Sequence, residues 1–194
     1  MEFRNTNPSH AFTQKADALA RMITLDIEIT PVGNSTKKFK TKGIWDTGAT
    51  NSVITQEVAD ALGISATGIT NVNTASETNK PTATYLVDIF LKADLRVQGI
   101  EVTLGKINSE HGLDCLIGMD IINLGDLLIT SFEGKTWLSF RIPSRGHVDY
   151  VDQINRANQI AQDFFKSGKR IDSPCPCNSG KKFKNCHGKD WVKA

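Results

Sequence analysis

Strict alternation of apolar and polar residues is the feature that most narrows the fold. Ile23, Leu25, Ile27 and Ile29 take every second place in residues 23–30, and Thr24, Asp26, Glu28 and Thr30 fill the others. A period of two gives a strand with one buried face. Strand patterns recur over residues 38–45, 85–91 and 100–104, with shorter apolar pieces at 53–54 and 115–117. Pro31-Val32-Gly33-Asn34-Ser35 turns the chain between the first two. Residues 127–131 and 136–142, joined by Phe132-Glu133-Gly134-Lys135, predict a closing hairpin with Trp137 and Phe140 as its apolar bulk. Helical spacing is limited to three places. Thr55 is expected to cap a short helix through Leu62 that Gly63 stops, and Asp120 to cap a brief one over 121–124. Tyr150, Ile154, Ala157, Ala161 and Phe164 then recur at helical spacing behind the cap Asp149. The expected architecture is mainly β with short helices and a C-terminal helix. Residues 1–20, polar and then patchily helical behind Ser9, are expected to be an N-terminal extension without chemistry.

Length and charge divide the chain further. At 194 residues with 39% hydrophobic content there is room for one medium domain with a packed core plus an appendage. Residues 1–164 hold 15 Lys/Arg against 19 Asp/Glu, whereas residues 165–194 hold 8 against 2, so the tail is a separate, basic object. No apolar run has the length a bilayer requires. The start, Met1-Glu2-Phe3-Arg4-Asn5, lacks the layout of a secretory signal, and a cytoplasmic location without membrane contact is expected. Three of the four cysteines crowd into the tail, where metal binding explains them better than disulfides. Cys115, alone in an apolar strand, reads as a small buried hydrophobe. Lys37, Lys38, Lys40 and Lys42 are accounted for by the exposed face of a strand.

Two segments carry the chemistry of the β domain. Ile44-Trp45-Asp46-Thr47-Gly48-Ala49-Thr50-Asn51-Ser52 brings an apolar strand end to one aspartate in a turn of small residues, where glycine permits close backbone approach. Asp114-Cys115-Leu116-Ile117-Gly118-Met119-Asp120-Ile121-Ile122 follows about seventy residues later. Together these resemble the retropepsin-like aspartic peptidases, in which an apolar pair followed by glycine crosses behind an Asp-Thr-Gly loop and a short helix follows. The resemblance covers residues 21–143 and implies a retropepsin-like half-barrel. It also implies a flap, for which the polar stretch 67–80 is the candidate; its tip, Ser76 to Pro81, lacks the glycine-rich sequence of viral members. Viral relatives usually place a basic residue after the glycine that this chain follows with Met119. Thr50 and Asn51, uncharged here, make that change self-consistent.

The chemistry of that family requires two carboxylates about one water. One takes a proton from it as it attacks the scissile carbonyl, and the other donates to the carbonyl oxygen. The chain holds no second Asp-Thr-Gly or Asp-Ser-Gly and no repeat of the domain. A second copy must supply the partner, which makes the expected enzyme a homodimeric aspartic endopeptidase acting on protein or peptide. By the resemblance, the catalytic positions are Asp46, Thr47, which would brace the two loops across the two-fold axis, and Gly48, whose neighbourhood lets backbone amides reach the carboxylates. The alternative is a dimeric peptide-binding or adaptor protein that does not cleave.

The tail reads Cys175-Pro176-Cys177, eight intervening residues, then Cys186-His187. Four such ligands suit tetrahedral zinc, and a filled ligand set argues for a structural ion. The stretch resembles the SEC-C motif of the export motor SecA, with Asn178-Ser179-Gly180 where that family usually has Gly-Ser-Gly. A segment this short has too little core to fold without its ion. The domain plan is thus an extension over 1–20, a peptidase domain over 21–143, a helical linker over 144–171 and a zinc knuckle over 172–189. Lys181, Lys182 and Lys184 on that knuckle either keep it soluble or dock it to an acidic protein or nucleic acid. The SecA resemblance implies a chaperone, the ribosome or another acidic partner.

Overall fold

A computed structural model describes residues 9–73, 78–107 and 112–189, which divide into two compact units, 1–146 and 147–194. In the first unit, β2 (Thr24–Pro31), β3 (Phe39–Trp45), β4 (Val53–Ile54), β5 (Gly68–Val72), β6 (Lys80–Phe90), β7 (Arg96–Leu104) and β8 (Leu113–Ile117) form one sheet in the order β2-β3-β8-β4-β7-β6-β5. An additional pairing of β2 with β6, Glu28↔Phe90 to Pro31↔Val87, closes that sheet on itself. The alternating residues point inward as their period demands: Ile27, Ile29, Ile54, Val87, Ile89, Val102 and Ile117 are all buried. The mainly β expectation therefore holds.

A second sheet, β1-β10-β9, packs its buried face into the same core. It consists of β1 (His10–Lys15), β9 (Asp126–Phe132) and β10 (Lys135–Ile142). The helical expectation for the stretch behind Ser9 is overturned here, because residues 10–15 are a strand. Phe12 pairs with Phe140, and burying that ring, 6% exposed, decides the conformation over a weak local helix pattern. The polar stretch 67–80 also contains a strand, β5, in register with β6 from Gly68↔Thr84 to Val72↔Lys80. The Ser76–Glu77 part of the expected flap tip lies outside the described residues.

The short helices sit where expected but are held differently. α1 (Gln56–Leu62) ends at Gly63, whose φ of 61° is the left-handed stop that glycine permits. Thr55 makes no side-chain cap; its hydroxyl instead donates to Asp114 Oδ1 at 3.2 Å, while Thr41 Oγ1 donates to Oδ2 at 2.9 Å. α2 (Met119–Ile122) begins two residues earlier than predicted, after Gly118.

In the second unit, α3 (Tyr150–Lys166) is capped by Asp149, whose side chain accepts from the Asp152 amide at 3.0 Å. Its C-terminal half buries Ala161 and Phe164 against Phe183 and Cys175. Phe164 and Phe183 stack with centroids 3.7 Å apart and 6° between planes. No helix among the described residues is long and apolar enough to cross a membrane.

Candidate active site and metal centre

β3 delivers Asp46 to the turn as its alternation ends. The Asp46 amide donates to Ile117 O at 3.0 Å, anchoring the turn to the end of the parallel neighbour β8. Gly43, three residues earlier, leaves room for the buried Ile117 side chain: a Cβ there would sit 2.8 Å from Ile117 Cδ1. Asp46 is half-buried, and its Oδ1 accepts the Gly48 amide at 2.8 Å. No donor reaches Oδ2, and no cation pairs with the carboxylate, among the described residues. Thr47 and Gly48 are exposed at the tip of the turn. Behind them Trp45 is buried and packs on Phe140 at 4.8 Å between centroids.

The rest of the loop is clamped by the second segment. Met119 and Asp120 amides donate to Ala49 O at 2.8 Å and Thr50 O at 3.1 Å. The Asp120 carboxylate takes the Ser52 amide at 2.8 Å and the Ser52 hydroxyl at 2.7 Å, and Ser52 Oγ accepts the Gly118 amide at 3.0 Å. Gly118 is there because nothing larger fits: a Cβ would lie 2.6 Å from Asn51 C and 2.7 Å from Asn51 O. Asp120 read as a helix cap from sequence, yet its main partner is 68 residues away. An acidic residue two places after the crossing glycine was the available signal. Met119 carries no charge into this clamp, and the uncharged Thr50 and Asn51 leave nothing for one to pair with.

Comparison with known proteins follows the same two segments. Residues 35–123 match the family model for the gag-polyprotein aspartyl protease, and residues 173–189 match that of the SEC-C motif. The first match takes in both the Asp46 turn and the Gly118–Ile122 segment, and the second takes in Cys175, Cys177, Cys186 and His187. Among solved structures, the chain is similar to a retropepsin-like aspartic protease from Rickettsia conorii, at 19% identity and a TM-score of 0.45, over 70% of this chain and 96% of that one. It is also similar to EIAV protease complexed with the inhibitor HBY-793, at 19% identity and a TM-score of 0.39, over 54% of this chain and 88% of that one. The tail is similar to the protein translocase subunit SecA of Campylobacter concisus, 46% identical over 44 residues, which are 22% of this chain and 5% of that one. SecA 1 of Nitrosospira multiformis is 57% identical over 33 residues, 16% of this chain and 4% of that one. The chain thus spans only about a twentieth of these curated relatives.

In the SEC-C motif the four predicted ligands come together. Cys175 Sγ lies 3.3 Å from His187 Nδ1, Cys177 Sγ 3.5 Å from Cys186 Sγ, and Cys186 Sγ 3.4 Å from His187 Nδ1. All four ligand atoms fall within 4.8 Å of one another. Zinc–sulfur bonds of about 2.3 Å in a tetrahedron put ligand atoms roughly 3.7 Å apart, so the donor set fits this ion. Asn178 and Gly180, at φ 59° and 72°, make the turn between the ligand pairs. Ser179 Oγ reaches Cys177 Sγ at 3.2 Å and Cys186 Sγ at 3.4 Å. That hydroxyl is the first cause holding the Cys177 thiol down to about 6, which favours the thiolate that metal binding needs. Burial pushes Cys175 up, and pushes Cys115, outside the cluster, to about 12; Cys115 is fully buried packing.

Proposed function

We propose that this protein is a homodimeric aspartic endopeptidase in which two Asp46 carboxylates, one per copy, activate a water against a peptide bond. The supporting observation is the carboxylate itself. It stands at the end of β3, fixed through Oδ1 by the Gly48 amide, in a loop clamped by Asp120 and Ser52, with Oδ2 left for chemistry. A carboxylate held still and free of cations suits a dyad that shares one proton. Thr47, exposed beside Asp46, is assigned the bracing contact between the two loops, and Gly48 the amide that orients the carboxylate. Cys175, Cys177, Cys186 and His187 are assigned to one structural Zn2+, whose role is to hold the knuckle folded. The basic knuckle would recruit the enzyme to an acidic surface, with a chaperone or the ribosome as the partners that the SecA likeness suggests. Free thiols in the tail suit a reducing compartment such as the cytoplasm.

Cleavage of a diverse peptide library by the zinc-loaded chain tests this. Wild type is expected to cut and Asp46→Asn to lose cutting altogether. Equal cutting by both forms would remove Asp46 from the mechanism. A chain that binds peptides, with or without Asp46→Asn, and cuts none would favour the adaptor reading.

A further inference from the structure

The face of the β1-β10-β9 sheet turned away from the core carries rings and cations that the peptidase site does not use. Thr136, Leu138 and Phe140 of β10 are buried, so by alternation Trp137, Ser139 and Arg141 point outward. Register extends that face to both neighbours: Trp137 lies between Lys15 and Thr130, and Ser139 between Thr13 and Leu128. Leu128 and Phe132, two places either side of Thr130, are then the diagonal neighbours of Trp137. The three form an apolar ridge in which Trp137 is half-buried, Leu128 is 37% exposed and Phe132 is 64% exposed. Cations border it. Lys15 holds its ammonium 5.2 Å over the Trp137 ring, and Lys135 lies opposite Phe132. Neither lysine has an ion pair among the described residues. The acid that the strands place on this face, Asp126, is already engaged by Arg141, Ser144 and the Arg145 amide.

We propose that this face binds single-stranded nucleic acid, its bases stacked on Trp137 and Phe132 and its phosphates drawn by Lys15 and Lys135. Exposed rings beside unpaired cations match a ligand that repeats a flat aromatic surface and a negative charge. The exposed Lys15 chain can yield the Trp137 ring to a base and keep its charge for the adjoining phosphate. An acidic peptide would satisfy the lysines and leave the rings to water, and a duplex keeps its base faces inside its own stack. The basic knuckle is different in kind, because its one phenylalanine, Phe183, is buried and it offers charge without that ring. The inference does not depend on Asp46.

Fluorescence anisotropy of a labelled oligothymidylate of about 15 nucleotides, titrated with the full zinc-loaded chain, tests it. Wild type is expected to bind, and Trp137→Ala and Phe132→Ala to weaken binding at least roughly fivefold each, with Trp137→Phe recovering most of the loss. Lys15→Ala is expected to make the slope of log affinity against log salt shallower by about 0.7, the share of one phosphate on a single strand. Should Trp137→Ala fail to fold, Phe132→Ala decides alone, since that ring is mostly in solvent. No binding, binding indifferent to both ring variants, or equal binding of a duplex of the same length or of polyglutamate overturns the proposal. Asp46→Asn is expected to bind as wild type does, so failure here leaves the peptidase reading standing.

Discussion

Asp120 shows how one side chain ties the two halves of the site. Its carboxylate satisfies the Ser52 amide and hydroxyl, both in a fully buried residue. Asp120→Ala leaves those donors unmatched, and a loss of about 1–3 kcal/mol in urea unfolding is expected, with a larger fall in peptide cleavage than in stability. Gly118→Ala, forced against Asn51 backbone at 2.6 Å, should cost at least as much. Ser179 plays the matching part in the tail. Its hydroxyl can donate to a thiolate of Cys177 or Cys186, while the Lys181 amide, 3.4 Å away, orients the oxygen. Ser179→Ala is expected to weaken zinc about 10–100-fold in competition with a chromogenic chelator, with Ser179→Thr recovering most of it. Asp126 gives a pH signature. Ser144, Arg145 and Arg141 hold it to about 2, below its ordinary 3.8, so its stabilising part is complete above pH 4 and is lost as pH falls towards 2. Thermal melts across that window should fall more steeply for wild type than for Asp126→Asn.

At the level of elements, the β domain and the knuckle are stabilised by different means. The domain's strands bury a continuous apolar core, and that is why β2, β3, β6 and β7 were readable from alternation alone. β1 and β5 were not, since their pattern is broken and only the partner strand fixes them: β1 through Phe12 on Phe140, β5 through pairing with β6. The same limit hid Thr55, whose local cap role gave way to Asp114, and Asp120, whose partner is distant in sequence. The Asp46 turn and the cysteine cluster were legible because their chemistry needs fixed residue types at short spacing. Among the described residues the knuckle buries just Cys175 and Phe183, against Ala161 and Phe164 of α3. A chelator should therefore unfold residues 172–189 while β-domain far-UV dichroism persists, and readdition of zinc should restore them. Phe183→Ala, which removes the ring stacked on Phe164, should produce the same loss of structure with lower zinc retention.

For the whole molecule, each chain carries one Asp46 turn in its β domain and a separate basic SEC-C module in its tail. In the proposed dimer, one aspartate per chain is enough because each copy supplies half of the pair. Mixing is the most direct measurement of that claim: a fixed amount of wild type is incubated with a ninefold excess of Asp46→Asn, allowed to exchange subunits, and assayed for peptide cleavage. If each working site needs two Asp46 side chains, random pairing leaves about one tenth of wild-type chains in intact pairs, and activity should fall about tenfold. Activity that does not change on adding the variant would show that a single copy cleaves alone, and would contradict the account.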